Sequence, residues 1–175
     1  MKRSNLKRIL SKLWLLVFLF CHIGLLAQSD LAQRSIKVSV SQPINFGSFC
    51  LLGNMGGTIT VLCDGTRTST GSIILLSNAP NATPAIYELK LEKGRKISIT
   101  FNPKTNLTNN KGSKLWLEIG PSDKGMNGTS FSADSEVHSI TQIRIGGILH
   151  IPGYATAGIY SGNFDVTFNN ESFMK

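Results

Sequence analysis

The side chains that could carry out chemistry are few in this chain, and their spacing does not form a catalytic set. Downstream of the N-terminal region the histidines are His138 and His150, and no His, Asp, Glu or Cys accompanies them at the spacing of metal ligands. The sequence contains no Gly-x-Ser-x-Gly nucleophile motif. We therefore expect no enzyme, no cofactor and no metal site, and interpret both histidines as ordinary strand or edge residues.

Two charged motifs also have simple structural interpretations. The Asp64–Arg67 motif resembles the start of a calcium or phosphate loop but lacks the further acidic ligands, so we predict a tight turn in which Asp64 bonds its own backbone. A basic cluster alternates with Glu88 and Glu92 and comprises Lys90, Lys93, Arg95 and Lys96. Mixed charge of this kind is typical of a solvated hairpin, so we expect no nucleic-acid binding.

The first 27 residues have the charge order of a secretory signal peptide. Five basic residues precede an uncharged apolar run, Leu13–Leu26, and a small residue, Ala27, precedes polar sequence. We predict cleavage after Ala27 and one domain over residues 28–175; the alternative is an uncleaved N-terminal anchor. The run is shorter than the roughly 20 apolar residues that span a bilayer, and no later segment approaches that length, so the mature chain should have no integral membrane span. Cys21 follows Phe20 where a lipoprotein has a small residue, which argues against lipidation.

Removal of the signal changes the charge and leaves two cysteines. The whole chain has a formal net charge of +8, but the mature part keeps 13 basic and 10 acidic groups, for a net charge of +3. Export places the protein in the periplasm, at the cell surface or outside the cell. An even pair of cysteines in an oxidising compartment predicts a disulfide between Cys50 and Cys63, with its register open; the alternative is two free buried thiols.

The mature sequence predicts an all-β fold. Apolar residues recur with a period of two, and no amphipathic stretch of helical length was found. Alternation marks six strands: Ile36-Val38-Val40, Ile59-Val61-Cys63, Ile97-Ile99-Phe101, Leu115-Leu117-Ile119, Ile143-Ile145 and Tyr160-Phe164-Val166-Phe168. Further strands are predicted at Ile44–Cys50, Ser72–Leu76, Ala85–Leu91 and Gly147–Ile151, and Gly146-Gly147 within a strand-like run predicts a bulge or bend. About nine or ten short strands separated by turn signals indicate a β-sandwich, with Pro121–Glu136 as a long loop that contains at most one short strand.

Two groups of residues are candidates for binding. Trp116 and Tyr87 could form an aromatic platform for sugar rings, because an exposed indole offers apolar area and Trp116 is out of phase with the apolar residues beside it. The alternative, which is favoured, is that Trp116 is buried in the opposite sheet surface or under the Pro121–Glu136 loop. The second group is the N-terminal strand with Ile36, Val38 and Val40, which could add to a neighbouring molecule's sheet, although pairing within its own domain is favoured.

Several short motifs together resemble a known kind of domain. They are Asn45–Phe49, Gly56–Val61, Asp64–Thr68 with Gly71, Ile145–Leu149 and Ala157–Phe168. Their order resembles a family of secreted bacterial domains of unknown function, similar to spore-coat-U-like and pilin-like sandwich domains. The resemblance implies an immunoglobulin-like fold and a role in surface fibres or coats, and it implies no catalytic residues. The cysteines and the Pro121–Glu136 segment depart from this pattern.

Two functions fit these observations. The first is a non-enzymatic structural or assembly subunit of the bacterial cell surface, which associates with itself or with other surface proteins through sheet edges. The second is a monomeric surface module that binds a glycan or a protein through Trp116, Tyr87 and the Pro121–Glu136 loop. Concentration-dependent oligomers would distinguish the first function from the second.

Overall fold

The computed structural model describes residues 36–78, 80–90, 95–132 and 140–171, and these residues form an all-β structure without a helix. The strands are β1 (Lys37–Gln42), β2 (Phe49–Leu51), β3 (Gly57–Val61), β4 (Arg67–Gly71), β5 (Ile73–Leu75), β6 (Ala85–Lys90), β7 (Lys96–Phe101), β8 (Lys104–Thr108), β9 (Lys114–Ser122), β10 (Ser130–Ser132), β11 (Ile140–Ile151) and β12 (Val166–Asn170). The predicted signal peptide, Cys21 and His138 lie outside the described residues. In the described part of the chain no helix is long and apolar enough to cross a membrane.

The longest strand, β11, organises a curled seven-stranded sheet. Its residues 147–150 pair with both β3 and β9, so these two strands lie on opposite edges of β11. Ile145 pairs with Ala85 of β6 and with Ser122 of β9, which places β6 on the same edge as β3. The sheet is extended by β1 beside β6, by β4 beside β3 and by β8 beside β9.

A smaller layer packs against the inner face of this sheet. It consists of the three-stranded sheet β10-β7-β12, and β2 and β5 form a separate pair. The Tyr87 ring contacts Phe168 of β12 across the two layers in an edge-to-face arrangement, with 5.7 Å between the ring centroids. Most core residues belong to β3, β6, β7, β9 and β11, whose inward side chains are almost completely buried. This arrangement confirms the predicted sandwich-like fold.

Glycines allow the tight backbone packing at the bend of β11. A Cβ on Gly146 would lie 2.4 Å from the carbonyl oxygen of Val61, and the pairing with β9 shifts register between Ile145 and Gly147. No larger residue fits there without moving the neighbouring strand. The bulge or bend predicted at Gly146-Gly147 is confirmed, although the two strands predicted around it are one continuous strand.

The predicted strands differ from the observed ones in two further ways. Strands β4 and β8 were not predicted, because Arg67–Gly71 and Lys104–Thr108 carry few apolar residues and pair at the outside of the large sheet. The predicted strand from Tyr160 to Phe168 is regular only over β12. Its alternation of half-buried and exposed side chains nevertheless extends back to Phe164; Tyr160 is also half-buried, but residues 161–163 are all exposed. Within Pro121–Glu136 the described residues contain the end of β9 and the short strand β10, as expected of a loop with one short strand.

Candidate functional site

Strand β1 carries apolar side chains that face the inside of the sandwich and yet are exposed. Val38 pairs with Leu89, and Val40 pairs with Tyr87. Directly paired residues of antiparallel strands point to the same face of a sheet, so the two valines share the inward face of their buried partners. Val38 is 45% exposed and Val40 is 63% exposed. The smaller layer therefore does not extend over β1.

An apolar groove of about 920 Å³ continues from this uncovered surface. Its floor includes Leu115, Leu117, Leu149 and Ile151 on the inner face of the large sheet. One rim is the segment 43–49 and the other is the segment 153–164. A volume of this size lies within the range of roughly 300–1,000 Å³ that is typical of ligand sites.

Arg67 fastens the first rim of the groove to the body of the domain. Its Nη2 donates a hydrogen bond to the carbonyl oxygen of Ser48 at 2.7 Å, and Nη1 donates to that of Leu76 at 3.1 Å. Burial lowers the pKa of this guanidinium, and Nε is buried without a hydrogen-bond partner among the described residues. Ser48 of the first rim is thereby held against β4.

A polar network fastens the second rim. The Tyr160 hydroxyl lies 2.6 Å from the carbonyl oxygen of Thr156, to which it can donate, and 2.9 Å from Oγ of Ser113. The buried amide of Asn109 donates through Nδ2 to Oγ1 of Thr156 at 3.0 Å, and its Oδ1 accepts from the backbone N–H of Ser113. These bonds tie the irregular segment 153–164 to the turn between β8 and β9.

Trp116 lies on the opposite, outer face of the large sheet. Its ring stacks on His150 with 3.3 Å between ring centroids, and Nζ of Lys104 lies 5.0 Å from the Trp116 ring centroid. His150 belongs to β11 and Lys104 to β8, which pair with opposite edges of β9, so the indole is enclosed from both sides. Its exposed fraction is 37%. The predicted outward orientation of Trp116 is observed.

Two influences act in opposite directions on the pKa of His150. Nε2 lies 3.5 Å from Oε2 of Glu118, an arrangement that would raise the histidine pKa, but burial lowers it by a larger amount. This nitrogen has no hydrogen-bond partner among the described residues. Lys104 was not predicted beside Trp116, because its proximity follows from the pairing of β8 with β9. Glu118 lies two residues after Trp116 on the same face of β9, so the period of two could have placed it there.

The structure does not bring Tyr87 and Trp116 together. Tyr87 is 8% exposed on the inner face, where it contacts Phe168, whereas Trp116 is on the outer face. Burial raises the pKa of the Tyr87 phenol. The two residues cannot form one platform in this arrangement, because the sheet lies between them.

The predicted disulfide is not formed. Cys50 and Cys63 are free; Cys50 is exposed on β2, and the half-buried Cys63 thiol lies 3.2 Å from the carbonyl oxygen of Pro121. Burial raises the pKa of Cys63. The cysteines are separated because β2 pairs with β5 while β3, which precedes Cys63, pairs with β4 and β11.

The predicted turn at Asp64 is confirmed. Oδ1 of Asp64 accepts a hydrogen bond of 2.8 Å from the backbone N–H of Thr66, and this bond lowers the pKa of the carboxyl group. Gly65 in this turn has a φ of +87°. No group of three or more potential metal ligands was found among the described residues.

A signal for the groove is present in the sequence, although the predictions did not use it. Residues 38–63 and 145–164 contain no Lys, Arg, Asp or Glu, and each stretch supplies one rim. Long uncharged stretches in an exported all-β chain could have marked this face of the domain.

Comparison with known proteins identifies a family but no characterised relative. No curated protein and no solved structure matches the chain. The comparisons also lend no support to the resemblance to spore-coat-U-like or pilin-like domains. A family model described as a domain of unknown function, DUF4402, matches residues 36–169, which is most of the chain and nearly all of the sandwich. The chain therefore belongs to the DUF4402 family.

Proposed function

We propose that the protein is a non-enzymatic, exported structural or assembly subunit of the bacterial cell surface, pilin-like or coat-like in role, that associates with further copies through open sheet edges. The observation that carries this proposal is the uncovered inward face of β1, where Val38 and Val40 remain exposed. Among the described residues, β1 pairs with β6 alone, so in this part of the chain its other edge presents backbone groups without partners. An open edge beside exposed apolar side chains is a template for association with another chain.

The test is the native mass of the processed chain over a wide range of concentration. A series of oligomers is expected, and the double variant Val38→Thr/Val40→Thr should remain monomeric because its inward face no longer gains free energy from being covered. Deletion of residues 28–40 should have the same effect. The matched control is Ile74→Thr on β5, since Ile74 has the same exposed fraction as Val38, 45%. A strict monomer at every concentration would contradict self-assembly.

The second candidate is a monomeric module that binds a glycan or a protein on the outer face. The exposed part of the Trp116 ring favours it, with Lys104 and Glu118 beside the ring as polar partners. Screening the monomer against a glycan array would test it, and Trp116→Ala should abolish any binding found. The matched control is Tyr154→Ala, which removes an aromatic ring that is 83% exposed outside this cluster.

A further inference from the structure

The groove differs from the rest of the surface in that none of the described residues that line it is charged. In the whole chain 28 of the 175 residues are charged, yet both rims come from stretches that contain none. Polar lining groups are limited to amides and hydroxyls, as in Asn45, Ser48 and Asn163. A charged group entering such a groove would lose hydration without gaining a charged partner. The groove therefore selects an uncharged occupant.

One rim also presents backbone groups without partners. The N–H and the C=O of Ser161 both bond to Thr108 of β8, at 3.2 Å and 2.9 Å between N and O, and the carbonyl oxygen of Asn163 accepts from Oγ1 of Thr105. In an extended chain, backbone groups of successive residues point to opposite sides. Those of Tyr160 and Gly162, two residues that line the groove, therefore point away from β8. Among the described residues the N–H groups of Tyr160 and Gly162 make no hydrogen bond.

We propose that the groove binds an extended polypeptide segment of a partner protein, which adds as a strand along residues 160–164 and places uncharged apolar side chains on the floor. A polypeptide satisfies the free N–H and C=O groups of the rim, which an acyl chain cannot do. Alternate side chains of the segment point to the floor and require no charge. Specificity comes from these inward residues and affinity from the backbone pairing.

The probe is a fluorescent, capped seven-residue peptide of alternating Thr and Val, titrated with the processed chain and followed by anisotropy. Saturable binding is expected. Only one edge of the bound peptide meets residues 160–164. N-methylation of the peptide residues whose N–H groups lie on that edge should therefore abolish binding, whereas N-methylation of the intervening peptide residues should preserve it. Replacing the central inward Val with Lys should weaken binding by about tenfold or more.

A pair of protein variants tests the location. Ile159 lines the groove at its mouth and is 90% exposed, so Ile159→Lys should fold normally and weaken peptide binding by about tenfold. Met126→Lys is the matched control at an exposed position outside the groove and should bind as the unmodified protein does. Equal binding by both variants would overturn the assignment.

Other occupants would give different results. A lipid-binding site would give two results: dodecyl maltoside below its micellar concentration would displace the peptide, and both N-methylated peptides would bind equally. These results together would overturn the proposal. Peptide-independent dimers that Ile159→Lys dissolves would assign the groove to a second copy and would also overturn it. Self-association through β1 is measured without peptide, so the proposed function and this inference can fail separately.

Discussion

One row of side chains across three strands shows how differently two regions of this domain are covered. Val40 of β1, Tyr87 of β6 and Ile143 of β11 are direct neighbours on the same face of the large sheet. Their exposed fractions fall from 63% through 8% to 0%. All three residues are apolar and face inward, so residue type does not explain the difference. The position of the smaller layer does, since it covers β11 and β6 but not β1.

The comparison separates two uses of the same alternating pattern. In the covered region, inward apolar residues form the core and stabilise the fold. In the open region, the inward valines of β1 gain little from folding and remain available to a partner. Exposed inward-facing residues next to a free strand edge are therefore a better indicator of a binding surface than exposed apolar residues in general.

The largest expected effect is on the free energy of unfolding, and it differs between Ile143 and Val40, the two ends of the row. Ile143→Ala should lower the free energy of unfolding by about 2–5 kcal/mol, because it leaves a cavity in the packed core. Val40→Ala should lower it by less than about 1 kcal/mol, because that side chain is mostly in water already. Urea denaturation of both variants measures the difference. Similar losses would mean that β1 is covered in solution, and would remove the distinction between the two regions.

An intermediate effect is expected at Arg67, which holds one rim of the groove. Arg67→Met removes the hydrogen bonds to the carbonyl oxygens of Ser48 and Leu76 and should cost about 1–3 kcal/mol of stability. Hydrogen exchange should accelerate over residues 44–49 and stay slow in β11. Uniform acceleration throughout the domain would show that Arg67 supports the whole fold and not the open region in particular.

The smallest expected effect is a pH dependence on the outer face of the covered region. Burial lowers the pKa of His150 below its ordinary value of 6.5, so protonation favours the unfolded chain. Stability should be unaffected above that value and should decrease as the pH falls through 6.5 towards the lower pKa of the folded state. In the folded protein the quenching of Trp116 fluorescence should increase as the pH falls through the lowered pKa of His150, since the protonated ring stacks on the indole.

The control for this prediction is His150→Gln. It should remove the component of the pH dependence that His150 contributes, while the titration of other groups persists. An unchanged pH profile in this variant would show that the stacked histidine is not the titrating group.

The sequence determined the local architecture of this protein. A period-two pattern turns alternate side chains to opposite faces of a strand, so it predicted the all-β class, the inward set of each central strand and the outward direction of Trp116. Turn chemistry is equally local, which is why the bond from Thr66 to Asp64 and the bend at Gly146-Gly147 were also predicted. Each of these features depends on residues that are neighbours in sequence.

Only the tertiary structure decided which faces are covered and which residues meet. The pairing of strands that are far apart in sequence separates Cys50 from Cys63 and places a sheet between Tyr87 and Trp116. The same pairing joins residues 38–63 and 145–164 into one groove. Period two specifies that a side chain points inward, but the burial of that side chain depends on whether another layer packs over it. Val38 and Val40 are exposed because the smaller layer does not pack over β1, and no local sequence pattern indicates this.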